Sequence, residues 1–401
     1  MALMPVEDAR ALIVSKVTAL QAEAIDLSEA RGRVLARPVK ARRNQPPFDA
    51  SAMDGYAVLA SDLASTPVSL KVIGTSAAGQ RYRGKLRSGE AVRIFTGAPV
   101  PKGADAVVIQ ENVTQQAKPY IAVQQAVAQG QNIRGAGLDF RRGDVLLPAG
   151  TLLNARDIQL AAAANAETVK VRRKPRVVIF STGDELVAPG GSPAADQIVS
   201  SNGHALTAMA ESFGARVTHL GIVKDRLKAT ERAIARAKGA DILVTTGGAS
   251  VGDHDFVQQA LINSGVTIDF WKIAMRPGKP FMYGRKDGMH VLGMPGNPVS
   301  ALVCARLFLK PLLDALLGLP VSDDLEDAVL GTAMKENDTR QDYVRAALAR
   351  GDGGRLVATP FGKQDSSMRR TFRDSSALIV RPPHAPAASE GDVVRILRLD
   401  F

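Results

Sequence analysis

The sequence predicts a multi-domain protein of the α/β plus β class. A central doubly wound α/β domain is flanked by a β-rich domain in the N-terminal half and a small β-barrel at the C-terminus. Three observations carry this reading. Between residues 174 and 320 the apolar runs VVIF, HLGIV and DILVTT alternate with helical patterns, one from His204 to Phe213 and one through LKATERAIARAKG. Before and after that region, short runs of β-forming residues recur between Gly and Pro turns. Finally, 401 residues exceed what one hydrophobic core ordinarily serves.

In chain order, residues 6–36 read mostly helical, and NQPPFDASAMDGYAV (44–58) then breaks the periodicity with two prolines and a glycine. From about 66 to 135 the runs VSLKVI, AVRIF, DAVVI and YIAVQQAV predict the β-rich domain. Next come the turn-rich NIRGAGLDFRRGDVLLPAGTLL and the helical RDIQLAAAANA, which connect back toward the N-terminal helix. After VRRKPR the α/β pattern begins. In VSALVCARLFLKPLLDALLG the charges Arg306, Lys310 and Asp314 recur every four residues, which predicts an amphipathic helix and argues against a membrane span. Beyond Pro320, YVRAALA, LVATP, ALIV and VVRILRL predict the barrel. The expected domains are therefore 1–43 with 136–173 as a connector, 44–135, 174–320 and 321–401.

Composition narrows the function. A hydrophobic fraction of 45% with 23% charged residues is that of a folded globular chain. Cys304 is the sole cysteine, which excludes an internal disulfide and a cysteine-rich zinc site and suits a reducing, cytoplasmic setting. MALMPVEDAR has acids where a secretory signal needs a basic start, so no export is expected. The net charge of +11 is spread along the chain and aromatics are only 4%, too few to stack bases. A basic cleft for a small, highly anionic substrate fits the charge equally well.

Three loops of the α/β region share one design: FSTGDEL (180–186), TTGGASVGD (245–253) and LGMPGNPVSA (292–301). Each follows an apolar strand with small, hydroxyl, amide or acidic residues. In a parallel sheet such loops emerge at the carboxyl ends of strands and meet at a switch point. Their glycines (Gly183, Gly247, Gly248, Gly296) permit close backbone approach, and amides at a helix start favour phosphate. Ser250 and Asn297 add polar contacts. Acids in a phosphate loop repel the ligand unless a divalent cation bridges them, so Glu185, Asp253 and Asp255 point to Mg²⁺. His254 lacks partners at ligand spacing and reads as incidental. In RPGKP (276–280), Arg276 and Lys279 occupy a turn fixed by two prolines and can face an oxyanion together.

Two other signals are rejected. GQRYRGKL matches a P-loop except that Leu86 replaces the hydroxyl residue that binds Mg²⁺, and a strand pattern follows where a helix is required. Cys304 lies inside the amphipathic helix and reads as core rather than nucleophile.

Taken together, PPFDASAMDGYAV, GEAVRIFTGAPVPKGADAVV, NIRGAGLDFRRGDVLLPAG, STGDEL, TTGGASVGDHDF, RPGKPF and GMPGNPVSALV resemble, in order, the molybdopterin molybdenumtransferases. This is the MoeA family, which includes the E domains of gephyrin and of the plant molybdenum insertase. The resemblance implies a homodimer whose central domain is of the molybdopterin-binding type. It also implies insertion of molybdate into adenylated molybdopterin, with Mg²⁺-dependent cleavage of the adenylate and release of AMP. Asp54 and Thr96 would reach the site from the partner subunit, supported by Arg134 and Asp139. Glu185, Asp225 and Asp255 would handle Mg²⁺ and the adenylate phosphate. Arg276, Lys279, Arg345 and Ser366 would bind molybdate, with Ser367 as the alternative to Ser366, and Pro295 and Pro298 would shape the loop at the pterin end. The chain departs from the family in having Arg276 where Lys is common, and Asp374 and Ser375 in place of an Ala-Asn-type pair, beside Arg369, Arg370 and Arg373.

The resemblance further implies a molybdopterin adenylyltransferase and recipient molybdoenzymes as partners, and none with nucleic acid or membrane. Two competing readings are adenylyl transfer to molybdopterin, which needs only the α/β domain, and a non-catalytic cofactor-binding or scaffold role, which in gephyrin comes with an extra domain and a long linker.

Overall fold

The structure is a computed structural model that describes residues 3–15, 17–248 and 256–401, the side chain of Asp352 excepted. The chain forms two compact units, one comprising Met1–Glu23, Gly32–Val34 and Arg172–Phe401, the other Ala24–Arg31 and Leu35–Val171.

In the first unit, strands β1 (Arg176–Thr182), β2 (Arg216–Val223), β3 (Ile242–Thr246), β4 (Thr267–Trp271), β5 (Met282–Lys286) and β6 (Met289–Met294) form one sheet in the order β2-β1-β3-β6-β5-β4. The first four are parallel, and β5 and β4 add an antiparallel edge. Helices α1 (Asn202–Ser212), α2 (Leu227–Arg236) and α3 (Phe256–Asn263) provide the crossovers. Alternate residues of each strand enter different cores: Val177 and Ile179 pack with Leu206 of α1, whereas Val178 and Phe180 pack with Ile234 and Leu261 of α2 and α3. Both faces are covered, which is why these strands read as unbroken apolar runs. The chain passes from β1 to β2 on one side and then to β3 on the other, so the switch point lies between β1 and β3.

The predicted amphipathic helix forms as α4 (Pro298–Cys304), a π-helical turn (Ala305–Leu309) and a further α-helix (Lys310–Leu317) that stops at Gly318, where φ is +72°. Its charged face is an ion cluster. Arg306 is 4% exposed and pairs with Asp324 at 3.0 Å, while Lys310 pairs with Asp314 at 2.6 Å. No helix among the described residues is long and apolar enough to cross a membrane.

The C-terminal strands β7 (Leu325–Leu330), β8 (Gln341–Arg350), β9 (Leu356–Pro360), β10 (Ala377–Arg381) and β11 (Val393–Arg398) close into a five-stranded barrel, because β8 pairs with both β9 and β10. The two-residue strand Met275–Arg276 of the α/β domain joins the barrel edge alongside Gln341 and Asp342.

In the second unit the β-rich prediction holds. A six-stranded sheet runs Ala106–Ile109, Gly55–Val58, Glu90–Ile94, Val68–Ser76, Tyr120–Val123, Val113–Gln115. RDIQLAAAANA forms helix Ala155–Ala163, started by a capping box in which Asn154 accepts from Arg156 and Asp157 and Asp157 accepts from Asn154. The rejected P-loop has no helix. Leu86 is a core residue whose N–H bonds the Lys102 carbonyl, and strand Glu90–Ile94 follows.

One expectation fails. The helix expected over residues 6–36 runs only Val6–Ser15, followed by strand Ala22–Asp26 and a 3₁₀ turn. The Leu20 N–H is taken by the Leu316 carbonyl, so tertiary hydrogen bonds override a weak helical periodicity.

The entry to β1 is held by an ion pair. Arg173 Nη1 and Nη2 each donate to Asp241 at 2.7 Å, and the Arg176 N–H adds a bond of 2.7 Å to the same carboxylate. Burial raises the Asp241 pKa, but the Arg173 and Arg176 hydrogen bonds outweigh it, and the carboxyl is held below its ordinary value. Its stabilisation is thus fully present above about pH 4 and is lost as pH falls through the folded-state pKa. Asp241→Asn is expected to cost about 2 kcal/mol near neutral pH, with the gap from wild type narrowing as the solution is acidified below about pH 4. Thermal unfolding across that range checks it, and a gap that widens on acidification would refute the assignment.

Candidate active site

Parallel pairing sets the site. Ser181 of β1 is in register with Thr246 of β3, and Thr246 with Met294 of β6, so the three predicted loops leave the sheet at one level. They converge as expected from the sequence. A cleft of about 220 Å³ is lined there by Ser181, Thr182, Glu185, Gly247, Gly296 and Asn297, together with residues 198–202 and Arg369.

Asn202, at the start of α1, ties two of the loops together. Its Nδ2 donates to Thr246 Oγ1 at 3.1 Å and to the Gly296 carbonyl at 2.7 Å, and Thr246 Oγ1 donates onward to the Pro295 carbonyl at 3.2 Å. Two further hydroxyls in the wall, Ser181 Oγ and Thr182 Oγ1, are buried and have no hydrogen-bond partner among the described residues. An unsatisfied buried hydroxyl is costly, so a pair of them in a cleft wall marks a place for a polar ligand. Gly247 (φ +93°) and Gly248 (φ +62°) turn the chain after β3. A Cβ at Gly247 would collide with the Thr182 carbonyl, so only glycine keeps the two loops this close.

The barrel completes one wall. Asn297 Nδ2 donates to Ser366 Oγ at 2.8 Å, and the Val299 N–H donates to the Ser366 carbonyl at 3.1 Å. Ser367 turns back instead, donating from N and Oγ to Asp365 at 2.8 and 2.6 Å. Of the two serines, Ser366 is the one joined to the cleft. Pro298 starts α4 beside it. Arg345 is 1% exposed and lies beneath this loop, donating to Gln364 Oε1 at 3.2 Å and to the Met368 and Lys363 carbonyls at 3.4 Å. Burial lowers its pKa, and Asp365 offsets this in part. Its geometry is that of a loop support. Ser375 is likewise turned inward, bonding the Thr371 carbonyl at 2.6 Å.

In the RPGKP turn, Arg276 Nε donates to Asp342 at 2.6 Å, Nη2 also pairs with Asp342, and Nη1 reaches Asp338 at 3.2 Å. The Asp342 hydrogen bond raises its pKa. Two carboxylates therefore already hold this guanidinium. Lys279 is exposed, and its ammonium makes no hydrogen bond or ion pair among the described residues.

Of the acids, Glu185 is exposed in the cleft wall, and its carboxylate has no partner among the described residues. Asp225 follows the neighbouring strand β2, its N–H bonded to Asp184 at 3.1 Å. Gly183 turns the chain between β1 and Glu185, its carbonyl accepting from Leu186 at 3.2 Å. Ser250, Asp253, His254 and Asp255 lie outside the described residues. Among the described residues no three histidine, cysteine or carboxylate groups gather as a metal site.

The second unit carries the other predicted residues. Asp54 Oδ1 accepts from Thr96 N at 2.7 Å and Thr96 Oγ1 at 2.8 Å. Those two bonds, with help from Arg93, hold its pKa below the ordinary value. Arg134 is exposed and pairs in register with Ala50 on the strand leading to Asp54. The Asp139 N–H bonds the Gln45 carbonyl at 2.9 Å.

Ser181, Thr182 and Thr246 fall inside the predicted loops without having been singled out, and Asn202 was not anticipated from the sequence. Asn202 sits in VSSNG, a hydroxyl and amide run before a helix like the three chosen loops, but the strand before it is only two residues long.

A chain with this fold and cleft falls in a defined class. Residues 4–165 match the family model described as MoeA N-terminal region (domain I and II), 178–315 the probable molybdopterin binding domain, and 327–399 the MoeA C-terminal region (domain IV). The molybdopterin molybdenumtransferase of Haemophilus influenzae is 36% identical over 94% of this chain and 93% of its own, and that of a Nostoc species 38% identical over 94% and 88%. A crystal structure of the molybdopterin biosynthesis MoeA protein from Pyrococcus horikoshii superposes with a TM-score of 0.87 at 30% identity, covering all of both chains. The chain belongs to the molybdopterin molybdenumtransferase family.

The Asp54–Thr96 geometry is directly testable. Thr96→Val removes the hydroxyl donor and keeps the backbone one, so the Asp54 pKa is expected to rise toward its ordinary value. Carboxyl titration by NMR reads this, and an unmoved Asp54 would contradict the hydrogen-bonded pair.

Proposed function

We propose that this chain is a molybdenum insertase, which transfers molybdate onto the dithiolene of adenylated molybdopterin and releases AMP. The observation that carries this is the convergence of three glycine- and hydroxyl-bearing loops, two of them joined by Asn202, at the switch point of a chain that matches the family over residues 4–165, 178–315 and 327–399. The adenylate phosphate is assigned to the cleft lined by Gly247 and Gly296, beside the Ser181 and Thr182 hydroxyls that have no hydrogen-bond partner among the described residues. Asn297 and Ser366 orient the pterin end across the seam between α4 and the barrel, with Pro295 and Pro298 fixing that loop.

Molybdate is a tetrahedral dianion, and Lys279 is the cation in RPGKP with an uncommitted charge. Arg276 contributes by fixing the turn through Asp342, and Arg345 by holding the loop that carries Ser366. The donor chemistry fits Mg²⁺: Glu185 offers an exposed carboxylate with no partner among the described residues, Asp225 is a half-buried carboxylate at the end of the adjacent strand, and two protein carboxylates with water suffice for this ion. Mg²⁺ bound there would neutralise phosphate charge. Asp255 is the third candidate ligand from the sequence.

We assign Asp54, Thr96, Arg134 and Asp139 to a site shared across a homodimer. Exposed Met53, Phe95 and Leu138 near them in sequence supply apolar surface that a second copy would cover. An enzyme that adenylates molybdopterin supplies the substrate, and molybdoenzymes in the same cytoplasmic compartment take the product.

The test is AMP release from adenylated molybdopterin by the purified chain, with and without molybdate and Mg²⁺. AMP is expected only with both, and Lys279→Ala and Glu185→Ala are each expected to lower the rate about 100-fold or more. Mixing Asp54→Ala with Glu185→Ala should restore part of the activity, because a mixed dimer holds one intact shared site. AMP release without molybdate, or no release from a bound intermediate, would overturn the insertase reading. No recovery on mixing would overturn the shared site.

A further inference from the structure

Arg369 belongs to the arginine cluster Arg369, Arg370 and Arg373. It starts the short helix Arg369–Asp374 after the Ser366 loop. Its Nε donates to Ser201 Oγ at 3.1 Å, which anchors the guanidinium at the start of α1 beside Asn202. The side chain is otherwise exposed, and among the described residues its two terminal nitrogens have no acceptor and no carboxylate lies within ion-pair distance. This contrasts with Arg276, which two carboxylates hold. Arg369 is therefore a positioned cation with most of its donors unspent.

Its location gives those donors a direction. Arg369, Ser201 and Asn202 line both the polar cleft of about 220 Å³ and a neighbouring cavity of about 600 Å³. The second cavity is walled by Met209, Leu302, Phe372, Leu399 and Phe401. On the cleft side lie the hydroxyls of Ser181 and Thr182, which have no partner among the described residues. A ligand that satisfies both compartments carries an anionic group at the seam and a flat, weakly polar body beside it. An arginine fork matches phosphate oxygens better than any other side chain.

We infer that Arg369 is an anion-binding, specificity-determining residue that grips the phosphate oxygens of a nucleotide-bearing substrate at the seam between the cleft and the apolar cavity. The inference rests on the reading of the substrate as an adenylate, and it assigns to this chain a phosphate contact outside the three α/β loops. Selection would fall on the charged linkage rather than on the base, so a nucleoside without phosphate gains nothing from Arg369.

The experiment is isothermal titration of the full chain with ADP and with adenosine. Wild type is expected to bind ADP more tightly than adenosine. Arg369→Ala should weaken ADP about tenfold or more while adenosine stays within about twofold, and Arg369→Lys should recover part of the loss. Ser201→Ala, which frees the guanidinium from its anchor, should weaken ADP by less than Arg369→Ala. Equal ADP affinity in wild type and Arg369→Ala overturns the inference, as does an equal loss for ADP and adenosine, or no ADP binding by wild type. Molybdate-dependent AMP release with unchanged ADP affinity in Arg369→Ala removes this inference alone. Arg369-dependent ADP binding in a chain that releases no AMP removes the insertase reading and leaves this site standing.

Discussion

The hydrogen bonds of one asparagine side chain hold the candidate site together. Asn202 spends both amide hydrogens on two different loops, the Thr246 hydroxyl at the end of β3 and the Gly296 carbonyl after β6, from a position at the head of the helix that follows β1. Each loop alone is a strand-to-helix turn. Joined, they form one wall, because the parallel register has already brought Ser181, Thr246 and Met294 to the same level. Glycines at 247 and 248 are required by the same closeness, since a side chain at Gly247 would strike the Thr182 backbone. Register, glycine and amide form one chain of cause from sheet to cleft.

Charge is distributed around this frame in two ways. Some cations are consumed by structure: Arg173 by Asp241, Arg276 by Asp342 and Asp338, Arg306 by Asp324. Arg345 is buried against carbonyls and supports the loop of Ser366. Lys279 remains available to a ligand. The net charge of +11 is thus a poor guide to where anions bind, and the unpaired side chains in cleft walls are a better one.

Much of the architecture is legible in the sequence because local pattern and buried position agree. The α/β strands read as continuous apolar runs because both faces are covered, and the barrel strands as short β-forming runs between turns. The three site loops were visible for the same reason, each being a run of small polar residues after such a strand. What stayed hidden depends on distant partners. Asp342 lies 66 residues from Arg276, so the commitment of that guanidinium has no local signature. The helix expected to continue past Ser15 ends because Leu20 bonds to Leu316. The choice between Ser366 and Ser367 had a local clue, since an aspartate two residues before Ser367 favours a side-chain turn that takes Ser367 away.

The central claim is that three loops act as one binding surface for the adenylate phosphate. Amide hydrogen exchange with and without AMP measures this directly. The account predicts slower exchange together in peptides covering 181–187, 198–202, 245–248 and 294–298, and loss of that joint protection in Asn202→Ala. Protection confined to one loop, or located away from the carboxyl ends of β1, β3 and β6, would contradict it.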